Sequence, residues 1–320
     1  FSVHVPMSAA VDLRAWRQGD GFAPTVNVPA TMNTATLRYP AMGTLRLLEH
    51  EGHPLLDGFD EDEMAYGGRG QLLVPWPNRV RDGAWSFGGR ELQLPLSEPA
   101  RRNASHGLVR WAAWSVEEHT THSVSLTYRL MAQSGYPWTL DLRVVHDLSA
   151  DGLTVTQSAT NLAGEPAPYA SGAHPYLSVG TGPVDGWELT LPAATRAVVD
   201  ERLIPVGHEA VDGTPYDFRM ARPVRDVAFD DGFTDLVRDG EGTATVVVAD
   251  PATGRSVALW ADRRHRWFQV FSADDVPGRA RRSLAVEPMT APADAFRSGR
   301  DLVVIAPGED FSASWGIRAL

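Results

Sequence analysis

Short runs of alternating apolar and polar residues recur from Thr36 to the C-terminus, and long amphipathic helical patterns are nearly absent. SVSLTYRLM (123–131), TLDLRVVHDLS (139–149) and LTVTQSATNL (153–162) are separated by Gly, Pro or Asp-Gly, the punctuation of a β-meander. TATVVVAD, SVALWAD, WFQVFSA, SLAVEPM and FSASWGIRAL repeat the signal near the C-terminus. A period of two at regular spacing argues against alternating β–α units and predicts an all-β chain, a large antiparallel β-sandwich. The earlier stretches TLRYP and TLRLLEHEG also read as strands, and GFDEDEMAYGGRG (58–70) as an acidic, Gly-rich loop. The 320 residues hold no linker, repeat or low-complexity segment, so residues 36–320 read as a single domain. Residues 1–35 are poorly periodic and read as an irregular N-terminal extension. Its opening FSVHVP does not begin with Met and could be a cloning remnant.

Two absent residue types narrow the chemistry. There is no cysteine, which removes thiolate nucleophiles, Cys-ligated zinc and disulfides. There is no lysine either, all 29 basic residues being Arg, which removes Schiff bases and a phosphate-loop lysine. Acid–base work by His, Glu, Asp and Tyr remains, as does metal chemistry with oxygen and nitrogen ligands. A net charge of −11 argues against a nucleic-acid partner. No apolar run is long enough to span a membrane, and no signal-peptide pattern opens the chain, so no membrane partner and a cytoplasmic location are expected.

Residues 71–107 gather the polar loops. After the apolar Leu72, Leu73 and Val74, a turn flanked by Pro75 and Pro77 presents Asn78 and Arg79. Asp82–Gly83 and Gly88–Gly89 bracket a short hairpin strand, and the segment closes on Asn103, Ser105, His106 and Gly107. Loops brought to one rim of a rigid sheet are where binding groups collect. Downstream, SGAHPYLSVG (171–180) sets His174 between Gly172 and Pro175, with Tyr176 following. SLAVEPMTAPADAF (283–296) delivers Glu287 from an apolar strand towards Pro292 and Asp294. A carboxylate there is either hydrogen-bonded structure or a base tuned by desolvation. AFDDGFTDL (228–236) sets Asp230, or its neighbour Asp231, ahead of Phe233.

Taken together, the P-x-x-N-R-V stretch with N-x-x-H-G, the H-P-Y segment, the D-x-x-F segment and the E-x-x-x-x-P-x-D segment resemble the aldose 1-epimerase (mutarotase) family over roughly residues 36–320. Ala41–Met42–Gly43–Thr44 departs from that family's usual first strand. The resemblance implies a galactose mutarotase-like supersandwich and a cofactor-independent isomerase. Such an enzyme interconverts α and β anomers of a free aldose by ring opening and reclosure. It implies His174 as acid and Glu287 as base, with Arg79, His106, Asp230, Asn78 and Tyr176 holding the sugar. No metal or cofactor is implied, the partner is a small-molecule sugar, and the chain is a monomer or homodimer.

Alternatives stay open at this level. Arg69, Arg81, Arg101 and Arg102 lie near the key segments and would suit a phosphorylated or otherwise acidic sugar. A non-catalytic carbohydrate-binding protein fits the same scaffold, and a glycoside-processing enzyme would need a carboxylate pair. Trp76, Trp111 and Trp114 are candidates for a sugar platform or for core. His50–Glu51–Gly52–His53 is one residue short of a zinc-protease motif. His119 and His122 would point apart on a strand, and Asp57, Asp60 and Asp62 lack calcium-loop spacing. The loops 58–70 and 201–232 are expected to shape the pocket.

Overall fold

The structure, a computed structural model, describes residues 43–60 and 63–320, with the backbone of residues 33 and 34. Most of the expected extension therefore lies outside the described residues, as does TLRYP. Its end does not: Asn33–Thr34 pairs with Glu49–His50, which pairs in turn with His53–Pro54.

Two large antiparallel sheets carry the fold. The nine-stranded sheet runs, edge to edge, through Arg222–Pro223, Glu188–Thr190, Ala244–Asp250, Arg255–Ala261, Asp310–Ala319, Gly152–Asn161, Leu140–Ser149, Ser123–Leu130 and Ser115–His119. The meander signals at 123–162 and near the C-terminus fall on these strands. Leu140, Leu142, Val144, His146 and Leu148, with Leu153, Val155, Gln157 and Ala159, point inward; the residues alternating with them are partly or fully exposed. The stretch 44–48 is not laddered as expected. Leu45 and Leu48 are buried, but their backbones bond singly, Leu45 N–H to the Gly70 carbonyl and the Leu48 carbonyl to Leu55 N–H. Tertiary burial, not strand pairing, explains their apolar pattern.

The eight-stranded sheet holds the polar motifs. Pro205–Ala210, Ala193–Val199, Asp230–Leu236, Trp267–Phe271 and Leu284–Met289 lie side by side, and beyond the last come Gly172–Ala173 and Leu72–Leu73, with Tyr176–Leu177 also paired to Leu284–Met289. Leu284 and Val286 join the core shared between the sheets, together with Phe268, Val270 and Phe233. Ala285, Glu287 and Met289 point the other way, under loops, so the strand is buried on both faces. That explains why SLAVEPM reads as a continuous apolar run rather than an alternating one. Among the described residues no helix is long and apolar enough to cross a membrane.

The predicted hairpin forms between Ala84–Phe87 and Arg90–Gln93. Next to it, Arg79–Arg81 pairs with Asn103–Ser105, and Val74 bridges to Gly107. Gly107 has φ +73°, and a Cβ there would lie 2.0 Å from the Val74 carbonyl oxygen. Gly107→Ala should therefore destabilise the chain by about 2–4 kcal/mol, seen as a lower urea midpoint at unchanged slope. An unmoved midpoint would mean that this contact has room to spare.

Candidate active site

Strand register brings the first two candidates together. Gly172 lies opposite Met289 and Tyr176 opposite Ala285. The residues midway, His174 and Glu287, therefore fall across from one another, where Pro175 interrupts the ladder. His174 Nε2 lies 3.2 Å from Glu287 Oε1, and both side chains are almost wholly buried, 5% and 3% exposed. On the other side Glu287 is paired with Gln269, and Gln269 with Gly232, so one row on one face reads His174, Glu287, Gln269, Gly232. Asp230, two residues before Gly232, shares that face; its Oδ1 accepts from Gln269 Nε2 at 2.7 Å. Asp231 points to the opposite face, where Arg196 Nε donates to it at 2.8 Å. Of the two neighbouring aspartates, the sheet thus turns Asp230 towards Glu287.

The loop pair supplies the rest. Asn78 has φ +55° and His106 has φ +61°. Asn78 N–H donates to His106 Nδ1 at 3.2 Å, and His106 N–H donates to the Asn78 carbonyl at 2.8 Å. The acceptor role of Nδ1 leaves the proton of a neutral His106 on Nε2. The His106 and His174 rings meet edge to face with centroids 5.4 Å apart. Arg79 Nε and Nη2 bond Glu98 at 2.9 and 3.2 Å, and Nη2 stands 3.7 Å from Asp230. Asn103 Nδ2 and Arg101 hold Glu98 in place. Tyr176 stacks on His174 with rings 8° from parallel and 5.0 Å apart, while its hydroxyl donates to the Gly67 carbonyl. That hydroxyl is thus spent within the protein, and the ring acts as a wall behind the imidazole. The loop 63–70 closes onto this wall: Gly68 has φ +82°, and a Cβ there would come 2.9 Å from His174 Cδ2.

Burial dominates the electrostatics. Desolvation first, then the Asp230 charge, raise Glu287 well above the ordinary carboxyl range, against the pull of Arg79 and Arg110. Desolvation, then Arg110 and Arg69, lower His174 to about 3. Burial likewise holds His106 well below the usual imidazole value. The imidazole falls below its ordinary value because it is buried among arginines. Both shifts favour the uncharged forms of Glu287 and His174, which face each other across the 3.2 Å contact. His106, His174 and Glu287 each offer a ligand atom within 4.8 Å of the others. Arg79 and Arg110 oppose a dication there, while a single proton shared by Glu287 and His174 leaves the pair neutral overall. The sequence motifs considered for metal lie elsewhere. His53 Nε2 meets Arg255, and Asp57 is occupied by Arg69, Arg279 and Ser283.

A small cleft opens beside the row, lined by Asn78, Asp230, Gln269, Trp267, Leu203 and Pro292 among others. The loop 201–232 contributes to it as expected. Trp76 does not: it is core, packed on Phe296 at 5.3 Å. Trp114 packs on Tyr128, and Trp111 is 53% exposed. Sequence reasoning missed Gln269, Glu98, Gln71 and Arg110. Gln269 had a signal, a lone amide in the apolar strand WFQVF; Glu98 and Gln71 had none.

The sequence pattern of the family described as Aldose 1-epimerase matches residues 43–318. The chain is 34% identical over 286 residues to the uncharacterized protein YihR of Escherichia coli K12, covering 89% of this chain and 90% of that one. It is 29% identical over 176 residues to the galactose mutarotase of Mus musculus, covering 52% and 49% of the two chains. The GalM/aldose epimerase homologue of C. elegans has the same fold, with TM-score 0.80 at 19% identity over 91% of this chain and 96% of that one.

Proposed function

The chain belongs to the aldose 1-epimerase family, and from that premise we propose that it is a mutarotase acting on a free aldose, with Glu287 and His174 as its acid–base pair. The observation that carries this reading is the buried 3.2 Å contact between them. Anomer interconversion requires a group that takes the proton from the C1 hydroxyl and a group that delivers one to the ring oxygen. The C1–O5 bond breaks, the aldehyde forms, the C1–C2 bond turns, and closure reverses both transfers. Atoms and charge balance with one proton shared between two groups. The reaction is redox-neutral and consumes no carrier.

In this mechanism Glu287 faces the anomeric hydroxyl and His174 the ring oxygen. The resting proton lies on Glu287. Moving it along the existing contact to His174 yields the reactive carboxylate–imidazolium form with no change in total charge. Arg79 stabilises the Glu287 carboxylate of that form, while Arg110 and Arg69 weaken the hold of His174 on its proton and so make the imidazolium a stronger acid towards the ring oxygen. His106 Nε2–H is the second donor for the ring oxygen as it gains negative charge. Arg79, clamped by Glu98, and Asp230, held by Gln269, grip sugar hydroxyls together with Asn78. Positioned acid–base groups typically contribute about 10²–10⁴-fold each, enough for a reaction whose spontaneous rate is already measurable. Magnetisation transfer between the anomers of a dissolved aldose tests the proposal: exchange faster than in buffer supports it, and binding without faster exchange favours a carbohydrate-binding protein.

A further inference from the structure

Arginines crowd the rim of the site, and most are neutralised from within the protein. Arg69 pairs with Asp57 at 2.9 Å, Arg79 and Arg101 with Glu98 at 2.9 Å, Arg102 with Asp82 at 3.2 Å, and Arg81 with Asp200. The four arginines in which the sequence suggested an anion site are thus already engaged.

Arg110 is different. Its Nε donates to Gln71 Oε1 at 2.6 Å, and Gln71 Nε2 donates back to the Arg110 carbonyl at 3.0 Å. The backbone carbonyl of the same Gln71 accepts from His174 N–H at 3.0 Å, which ties this arginine to the His174 segment. The guanidinium lies 5.6 Å from the Trp111 ring centroid, an aromatic support for its plane. Among the described residues no carboxylate pairs with it, and its terminal nitrogens donate to no side chain. A half-buried cation without a counter-ion is costly to hold. Its position is asymmetric: its partner Gln71 lies across from His174 at one end of the row, whereas Arg79 stands 3.7 Å from Asp230, beyond Glu287. Arg110 therefore stands on the His174 side and Arg79 on the Glu287 side.

We propose that Arg110 is an anion receptor, and that the preferred aldose carries an acidic group on the exocyclic carbon next to its ring oxygen. The inference rests on the mutarotase reading, with His174 at the ring oxygen and Glu287 at C1. On that placement the substituent nearest Arg110 is the one on C5. The free fork of the guanidinium suits a carboxylate, phosphate or sulfonate, which it binds through two parallel hydrogen bonds. A net charge of −11 repels anions at long range, so a local cation must supply the recognition.

The test measures kcat/KM for anomer exchange on a neutral hexose and on the same hexose with a carboxylate, a phosphate or a sulfonate at C6. One acidic form should exceed its neutral parent by about tenfold or more, and Arg110→Gln should bring that ratio back towards one. The acidic form with the highest ratio identifies the anion. In the wild-type protein, added salt should raise KM for that acidic sugar and leave the neutral sugar's KM unchanged, a readout that needs no variant. A wild-type ratio of one or less, a ratio unmoved by Arg110→Gln, or a salt-insensitive KM would overturn the assignment. Acceleration of the neutral sugar alone would overturn it and leave the mutarotase reading standing. Acceleration of no sugar would overturn both.

Discussion

Replacing Glu287 by glutamine should slow anomer exchange by about 10²–10⁴-fold while leaving sugar binding largely intact. The amide keeps the shape of the carboxyl group and can still hydrogen-bond, so the pocket and its partners stay in place. What it loses is the ability to give up and retake a proton at pH 7. Stability should move the other way. Glu287 is raised well above the ordinary carboxyl value of 4.5, because its charged form is buried. Its contribution to stability is complete below pH 4.5 and is lost as pH rises through the raised folded value. Glu287→Gln should therefore match the wild type in acid and become the more stable protein as pH rises, which urea titrations at two pH values would reveal. Unchanged turnover would remove Glu287 from the chemistry. Lost turnover with lost binding and lowered stability would mark it as a structural residue.

His174→Asn should cost a similar factor of about 10²–10⁴, and the double variant should be little slower than either single one. The two groups share one proton, so removing either disables the unit. The pH profile should carry the same mark. An independently titrating imidazole would lose its proton, and its activity as an acid, as pH rises through 6.5. In the pair, burial and the neighbouring arginines push His174 down to about 3 while burial pushes Glu287 up. The singly protonated state is therefore bounded on the acid side near the lowered value and on the alkaline side above the ordinary carboxyl range, and both limits belong to the pair. The acid limb of kcat/KM should accordingly lie well below 6.5. An alkaline limb at 6.5 with an acid limb at 4.5, or a double variant slower by the product of the two single effects, would show two groups acting separately.

Much of this architecture could be read before any coordinates. Alternation along 123–131, 139–149 and 153–162 located three adjacent strands of one sheet because each has one face on the core and one on solvent. Alternation fails where both faces are covered. Leu284–Met289 looked merely apolar, and only its pairing partners reveal that Glu287 lies across from His174. The polar residues on short loops, Asn78, Arg79 and His106, were legible because Pro and Gly fix their surroundings. Choosing between Asp230 and Asp231 was beyond the sequence, since the side-chain alternation that separates them depends on the register of Asp230–Leu236 against Trp267–Phe271. The proton's location was hidden as well. A pKa depends on burial and on charges remote in sequence, and here those are Arg110, Arg69 and Asp230. Glu98, Gln71 and Arg110 sit in unremarkable sequence and acquire meaning only through the partners the fold gives or denies them.

One measurement bears most directly on the central claim: saturation transfer by NMR between the α and β anomers of neutral and acidic aldoses, with the wild-type chain present and with the Glu287→Gln variant as blank. Faster exchange of at least one sugar with the wild type, falling to the buffer rate with the variant, is the predicted result. Exchange at the buffer rate for every sugar with the wild type, or equal acceleration by both proteins, would contradict it.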